Sequence, residues 1–255
     1  VTKDNYVAHL NLGSVLFDKG KNAEAIAHYN EVIRIKPNLI LSYNKRGLAY
    51  ARLGRYQQAF ADLNKVIARK PDYADAYHSR AIIYHELAQY PKAFEDFNEA
   101  IRLKPDYAEA YNNRSNIYLK LRQPQKALDD INKAVLLKPD TASIYFNRGN
   151  FYINLSRYRE AIEDYTKAVS LNPAYSEVYN NRAFAYLNLG QYQQALEDYN
   201  KAILLKPDYA DAYNNRAFVY LTTGNTDAGC RDAKKACVIG SCTTLEIARD
   251  KNICR

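Results

Sequence analysis

The sequence predicts an all-α fold built from antiparallel helix hairpins, and three observations support this prediction. Prolines recur every 34 residues, the residues between them follow a helical apolar period, and turn signals divide each interval in two. A fixed period of this length is typical of repeat proteins, in which each repeat is one supersecondary unit. The recurring prolines are Pro37, Pro71, Pro105, Pro139, Pro173 and Pro207.

The first half of each interval has the pattern of an amphipathic α-helix. Offsets of 6, 10, 13 and 17 from the proline lie on one side of a helix. Offsets 6 and 13 are tyrosines, such as Tyr43 and Tyr50, and offset 10 is a small residue such as Gly47. We therefore predict that the tyrosines pack between helices, rather than forming a platform on which nucleic-acid bases stack.

A turn and a second helix complete each interval. Gly54 and Gly190 mark turns, and each is followed by a second apolar-periodic stretch, such as that of Ala195 and its neighbours. The stretch ends at the next proline, which cannot continue a helix. Asp72 and Asp106 follow two of these prolines, and we expect them to cap the next helix.

These residues resemble the tetratricopeptide repeat, whose pattern places an aromatic residue, small residues, Tyr, Ala and Pro at the same intervals. The usual first tryptophan is replaced by Tyr or His9, and Gly229 and Ser241 depart from the pattern in the last repeat. The resemblance implies a right-handed superhelical α-solenoid in which the first helices line the concave surface. The expected domains are seven repeats within residues 1–243 (6–39, 40–73, 74–107, 108–141, 142–175, 176–209, 210–243) and a capping helix within 244–255.

Two series of charged residues predict structural ion pairs. An arginine stands nine residues after each proline and an aspartate stands twenty-five residues after it, whereas the first repeat lacks both and has Leu12 and His28 there. The loss of both residues from the same repeat favours an ion pair within each repeat. A regularly spaced series of arginines also suits phosphate binding, which is the alternative. The predicted pairs are Arg46–Asp62, Arg80–Asp96, Arg114–Asp130, Arg148–Asp164, Arg182–Asp198 and Arg216–Asp232.

Asparagines recur on the first helices, at or beside the side opposite the tyrosine stripe. Asparagine is a mediocre helix former, and its carboxamide can bond both the N–H and C=O groups of an extended peptide. The series resembles the asparagine ladder of O-GlcNAc transferase; bonding to neighbouring helices or water is the alternative. The predicted peptide-binding residues are Asn11, Asn44, Asn112, Asn113, Asn147, Asn150, Asn180, Asn181, Asn214, Asn215, Phe184 and Phe218.

All four cysteines lie within the last 26 residues. Cys230 and Cys237 are two helical turns apart, too far to bond each other. We predict Cys237–Cys242 and Cys230–Cys254 disulfides that hold a final helix, at about 244–251, against the end of the solenoid. Free thiols and zinc are the alternatives, although the spacing lacks the close pairs of structural zinc sites. Disulfides would indicate export to a periplasm or the extracellular space, and otherwise a cytoplasmic protein is expected.

These features favour a non-catalytic scaffold that binds a peptide segment of a partner protein. No nucleophile–base pattern or Gly-rich phosphate loop is present, so neither an enzyme nor a cofactor or metal is expected; at most His78 and His85 contact a ligand or metal. The net charge of +8 makes RNA or polyanion binding the second hypothesis, although Lys and Arg are dispersed among Asp and Glu rather than gathered in a block. Self-assembly is the third hypothesis. The absence of methionine indicates a processed form or part of a longer protein, for example of the envelope.

Overall fold

The computed structural model describes residues 5–254. These residues form fifteen α-helices and no strand; α1 to α14 pair into seven hairpins, and α15 follows. The helices are α1 (Tyr6–Asp18), α2 (Asn22–Ile35), α3 (Ile40–Arg52), α4 (Tyr56–Arg69), α5 (Ala74–Glu86), α6 (Tyr90–Leu103), α7 (Ala108–Lys120), α8 (Pro124–Leu137), α9 (Ala142–Asn154), α10 (Tyr158–Leu171), α11 (Ser176–Asn188), α12 (Tyr192–Leu205), α13 (Ala210–Thr222), α14 (Thr226–Val238) and α15 (Thr243–Asp250).

The two helices of a hairpin approach closely where a small residue faces a large one. In α9, a Cβ atom at Gly149 would lie only 2.5 Å from the ring of Tyr165 in α10. In α3, a Cβ atom at Gly47 would lie 3.1 Å from Leu63 of α4. The second helices contribute the recurring alanines, which have no exposed surface: Ala59, Ala93, Ala127, Ala161 and Ala195.

The tyrosine stripe packs between helices, as predicted, although the most deeply buried rings belong to the second helices. Tyr29, Tyr165 and Tyr199 have no exposed surface, whereas many first-helix tyrosines are only half-buried. The first-helix rings flank arginines instead: the guanidinium carbon of Arg46 lies 5.5 Å from the ring centroid of Tyr43. Burial and these cation–π contacts occupy the ring faces that base stacking would need.

Each hairpin turns through one residue with positive φ. Glycine fills this position in four hairpins, and Ala88, Arg122 and Ser156 fill it in the other three with φ of 56° to 57°. The N–H of the following residue closes the turn, as in Gln89 N–H to Tyr84 C=O at 2.8 Å. This arrangement is a helix C-terminal motif that requires a left-handed residue.

The expectation that Asp72 and Asp106 cap the next helices was wrong. The residues that cap α5 and α7 are Tyr73 and Tyr107, and neither makes a side-chain capping bond. The Tyr73 N–H donates to Lys70 C=O at 3.1 Å, which makes Asp72 the third residue of a tight turn. The turn places the aspartate one position too early to reach the free amides of the helix.

The predicted ion pairs form in all six hairpins in which both residues are present. Each arginine donates through two nitrogens to both carboxylate oxygens; Arg182 Nε and Nη2 lie 2.7 Å and 2.8 Å from the oxygens of Asp198. In at least five hairpins the remaining nitrogen reaches the preceding second helix, as from Arg80 to Asn64. The pairs are Arg46–Asp62, Arg80–Asp96, Arg114–Asp130, Arg148–Asp164, Arg182–Asp198 and Arg216–Asp232.

The first hairpin replaces the ion pair with two histidines. His28 stands at the aspartate position, and its Nδ1 lies 2.8 Å from Nδ1 of His9. Burial and the neighbouring His9 lower the pKa of His28, so the neutral form of His28 is favoured in this contact.

Helix α15 covers the end of the last hairpin. Its Leu245 and Ala248 are 4% and 1% exposed and pack with Ala217 of α13. The structure brings the two expected cysteine pairs to bonding distance, with Cα–Cα separations of 5.5 Å for Cys230–Cys254 and 4.0 Å for Cys237–Cys242. The cap therefore closes an apolar face that a last repeat would otherwise expose.

The chain divides into two compact units, the first ending at Leu137 and the second beginning at Lys138. Nothing in the sequence marks this division, because the 34-residue period runs through it without an insertion. Among the described residues, no helix is long and apolar enough to cross a membrane.

Candidate functional site

The candidate site is the side of the first helices that carries the predicted asparagines and phenylalanines. Phe184 and Phe218 are 38% and 48% exposed, which is high for phenylalanine. Asn11 is exposed, and most of the other predicted asparagines are half-buried. This side therefore remains accessible at the positions opposite the tyrosine stripe.

Two of the predicted residues lie in the core instead. Asn44 and Asn180 are 5% and 6% exposed, so neither can contact a partner directly, which corrects the expectation for these two positions. Both stand one residue after the first tyrosine of their helix, and one residue rotates a side chain by about 100° on a helix. That rotation turns them towards the neighbouring helix rather than towards the accessible side.

In the second unit, carboxamides form a continuous hydrogen-bonded chain. Asn215 Nδ2 donates to Asn180 Oδ1 at 3.3 Å, and Asn180 Nδ2 donates to Asn181 Oδ1 at 3.0 Å. Asn181 Nδ2 donates to Asn150 Oδ1 at 2.8 Å, and this oxygen also accepts from the Tyr165 hydroxyl at 2.7 Å. The chain crosses α13, α11 and α9, so the asparagines do bond to neighbouring helices.

The hydrogen-bonded chain of asparagines uses only some of the donors and acceptors of each carboxamide. A carboxamide has two N–H donors and an oxygen with two lone pairs. Asn215 Oδ1 and the second N–H of Asn215 have no partner among the described residues, whereas the Asn181 side chain also lies within hydrogen-bonding range of the Tyr165 hydroxyl. The internal bonds fix the orientation of the amides and leave these groups of Asn215 for a ligand.

In the first unit, two asparagines are linked by hydrogen bonds to each other and to a histidine. Asn113 Nδ2 lies 3.1 Å from His78 Nε2, and Asn112 Nδ2 donates to Asn113 Oδ1 at 3.2 Å. Burial lowers the pKa of His78 to about 4, while the carboxylates of Glu109 and Asp75 oppose that shift. His78 is therefore neutral near pH 7 and accepts the bond from Asn113.

The series of accessible carboxamides is interrupted in the first unit. Lys45 and Ser79 stand where the asparagines would continue, and Ser79 is only 2% exposed. Asn147 begins the series in the second unit and is half-buried. The second unit therefore holds most of the accessible amides.

Asn214 has a structural role that the sequence did not indicate. Its Oδ1 accepts from the Thr244 N–H at 2.9 Å, and its backbone carbonyl accepts from the Thr244 hydroxyl at 3.1 Å. Asn214 therefore anchors the first turn of α15 to α13 and contributes its oxygen to the cap rather than to a ligand.

A cavity of about 560 Å³ lies beside the amides, between α11, α13 and α15. Phe184, Phe218 and Ile247 supply apolar walls, and Asn188 and Thr222 add polar groups. None of its lining residues is charged. Sequence reasoning predicted Phe184 and Phe218 but missed Ile247, because the docking of α15 against α13 depends on tertiary contacts.

Two carboxylates lie at the start of the same helices. Glu177 and Asp211 belong to the first turns of α11 and α13. Neither forms an ion pair with a described basic residue, and Asp211 is exposed. Burial raises the pKa of Tyr209 to about 12, and the negative charges of both carboxylates add to this shift.

Within residues 5–254, no group of three or more His, Cys, Asp or Glu side chains is placed to hold a metal ion. His78 and His85, the histidines singled out in the sequence, are separately engaged: His78 bonds Asn113 and His85 lies beside the ring of Tyr90.

Comparison with family models decides the family. Models described as "TPR repeat" match residues 13–54 and 82–121, and models described as "Tetratricopeptide repeat" match 40–73, 63–95, 108–141, 142–175, 176–209 and 198–231. Together these matches run from residue 13 to residue 231. The chain belongs to the tetratricopeptide repeat family.

Solved structures share this fold at low sequence identity. A chain of the APC/C hetero-tetramer Cut9–Hcn1 superposes with a TM-score of 0.76 at 15% identity, over 97% of this chain and 53% of that chain. A tetratricopeptide repeat protein from Parabacteroides merdae gives 0.65 at 21%, over 96% and 97%. YrrB, described as having an unusual peptide-binding site, gives 0.54 at 22%, over 72% and 95%.

These similarities confirm the all-α superhelical repeat fold predicted from the sequence. This chain spans about half the length of the Cut9–Hcn1 chain that it matches. No protein of curated function matches the sequence.

Proposed function

We propose that this tetratricopeptide repeat protein is a non-catalytic scaffold that binds an extended segment of a partner protein across its first helices. The repeat family and its structural neighbours support protein–protein interaction in general. The observation that carries the finer proposal is the carboxamide chain of the second unit, in which Asn215, Asn181 and Asn150 are held in fixed orientations. Pre-oriented amides cost less entropy on binding than free ones.

In this proposal the asparagine side chains bind the backbone of the partner peptide, an interaction that we call the backbone grip or amide grip. The free oxygen of Asn215 accepts a backbone N–H, and the free N–H of the same amide donates to a backbone C=O. Such contacts do not depend on the sequence of the partner, and the exposed Phe184 and Phe218 supply apolar contacts beside them. In the second unit, Asn147 adds a further carboxamide, Asn180 bonds within the series and Asn214 holds α15. In the first unit, Asn11, Asn112 and Asn113 provide carboxamides of their own, whereas Asn44 is buried.

The basic net charge gives less support to an RNA-binding function. Six arginines that could contact phosphates form two-point ion pairs with aspartates. Binding to RNA would weaken steeply as salt rises, whereas amide contacts to a peptide are much less sensitive to salt. Self-assembly, the third hypothesis, would appear as a size that increases with protein concentration.

The test is selection from a phage-displayed random peptide library with the full chain as bait. We expect enrichment of peptides by the native protein and loss of most of it in an Asn181→Ala/Asn215→Ala variant. The control is Gln194→Ala, which removes an exposed amide on a second helix. Enrichment that persists in the double variant, or that disappears equally in the control, would reject the amide grip and leave the fold assignment unaffected.

We also propose that the chain works in an oxidising compartment. The two cysteine pairs at bonding distance support this, because disulfides persist outside the reducing cytosol. Mass spectrometry of the natural protein, alkylated before reduction, should find Cys230–Cys254 and Cys237–Cys242 linked; labelling of all four thiols would contradict the proposal.

A further inference from the structure

The cavity in the second unit is lined by residues of α11, α13 and α15 and by Tyr192 of α12, so one of its sides comes from the capping helix α15. Phe184 of α11 and Phe218 of α13 face it from two sides, and Ile247 of α15 closes the third. These three side chains are 38%, 48% and 48% exposed. Large apolar side chains exposed together around one concavity indicate a binding surface rather than scattered surface residues.

The cap wall is fixed in place. Thr244 makes two hydrogen bonds to Asn214 of α13, and Leu245 is buried against the last hairpin. The pair Cys237–Cys242 lies just before α15 and the pair Cys230–Cys254 just after it. Because α15 is held at both ends and along its length, this side of the cavity is formed before a ligand binds. A preformed site lowers the entropic cost of binding.

The charge pattern around the cavity favours one kind of occupant. No charged residue lines the cavity, so a charged side chain inside would lose its hydration without gaining a partner. Glu177 and Asp211 precede Phe184 and Phe218 by seven residues each and have no basic partner among the described residues. Seven residues correspond to about 10 Å along a helix. A cation about 10 Å from an apolar group therefore complements this surface.

We propose that the cavity binds an aromatic or large aliphatic side chain of a partner segment that carries Lys or Arg three residues away, against Glu177 and Asp211. In the polyproline II conformation, residues i and i+3 lie on the same side of the chain, about 9 Å apart. The flexible stem of Lys or Arg covers the remaining distance. This inference rests on the proposed peptide-binding function and adds the specificity that backbone contacts alone do not provide.

The experiment uses fluorescein-labelled synthetic dodecapeptides of Gly, Ser and Pro that contain one Phe and one Lys, with the disulfide-bonded full chain. Fluorescence anisotropy compares Lys at spacings of two, three and four from the Phe, on either side of it. Two further peptides, with Phe→Ser or Lys→Glu at spacing three, complete the set. We expect spacing three to bind most tightly in one of the two orders, and each replacement to weaken binding at least tenfold.

Variants of the protein test the apolar contact in the cavity and the contact with the carboxylates separately. Ile247→Ser should weaken binding of the Phe peptide about tenfold without affecting the preference for Lys over Glu. Asp211→Asn should remove most of that preference and leave the dependence on Phe. Val238→Ser, a change at an 82% exposed residue outside the cavity, should have no effect. Circular dichroism of each variant shows that the helices remain intact.

Failure of this inference is distinguishable from failure of the proposed function. Library enrichment that depends on Asn181 and Asn215, but is indifferent to Ile247 and Asp211, would overturn the inference and keep the backbone grip. Equal binding of the Phe and Ser peptides, or of the Lys and Glu peptides, would also overturn it. So would a dimer, seen by light scattering, that Ile247→Ser dissociates, because a second copy would then occupy the cavity.

Discussion

Three hairpins carry a non-glycine residue at the position where the other four have glycine. Ala88, Arg122 and Ser156 have φ of 56° to 57°, whereas Gly54 and Gly190 occupy equivalent positions with φ of 71° and 72°. The left-handed conformation costs about 1–2 kcal/mol for a residue with a Cβ atom. Replacing Ala88 with glycine should therefore relieve strain in the folded state without disturbing any other contact.

The gain is smaller than the strain because glycine also has more freedom in the unfolded chain, which offsets about 0.5–1 kcal/mol. We therefore expect Ala88→Gly to raise the free energy of unfolding by about 0.5–1 kcal/mol. The three turns are separated by 34 residues each, so the effects should add. The triple variant with Arg122→Gly and Ser156→Gly should gain about 1.5–3 kcal/mol.

Urea unfolding followed by circular dichroism measures these differences, with hydrogen exchange at the turns to localise them. Repeat arrays do not always unfold in one step, so each transition is compared separately. The reverse change, Gly190→Ala, is the matched control and should destabilise by a similar amount; the space around Gly190 is open, so no clash contributes. Unchanged stability in Ala88→Gly, together with a neutral Gly190→Ala, would refute the reasoning from backbone strain.

Three further changes test the packing and the charges. Gly149→Ala should cost about 1–3 kcal/mol in urea unfolding, because its Cβ would lie 2.5 Å from the fully buried ring of Tyr165. Asp198→Ala should cost about 2–4 kcal/mol, since Arg182 would keep a largely buried charge without its carboxylate. His78 has a pKa of about 4 in the folded state against 6.5 unfolded, so its neutral burial stabilises fully above pH 6.5. As the pH falls from 6.5 to 4 this contribution is lost, up to about 3 kcal/mol, and His78→Gln should show a correspondingly shallower decline in stability.

Matched controls separate these effects from general damage. Gly47→Ala meets Leu63 only at 3.1 Å and gains helix propensity, so it should change stability by less than about 1 kcal/mol. Glu197→Ala, next to Asp198 but exposed, should change it by less than about 0.5 kcal/mol. Equal costs at Gly149 and Gly47, equal costs at Asp198 and Glu197, or parallel pH curves for native and His78→Gln protein would contradict the respective arguments.

The repeat architecture and the ion pairs were predictable from local pattern. A proline every 34 residues and a helical apolar period define each hairpin without knowledge of distant contacts. The arginine and aspartate series could be paired because their joint absence from the first repeat is visible in the sequence. In the first repeat, His9 contacts His28 instead, and this contact is seen only in the structure.

The amino-acid sequence by itself determined the all-α repeat class, the helix positions and the residue types of the accessible side, because these depend on periodicity within one chain segment. Only the tertiary structure decided that Asn44 and Asn180 are buried, that Asn215, Asn180, Asn181 and Asn150 bond in series, and that Ile247 closes a cavity with Phe184 and Phe218. A rotation of one residue on a helix, and the docking of α15 on α13, are set by packing between helices, which no local spacing specifies.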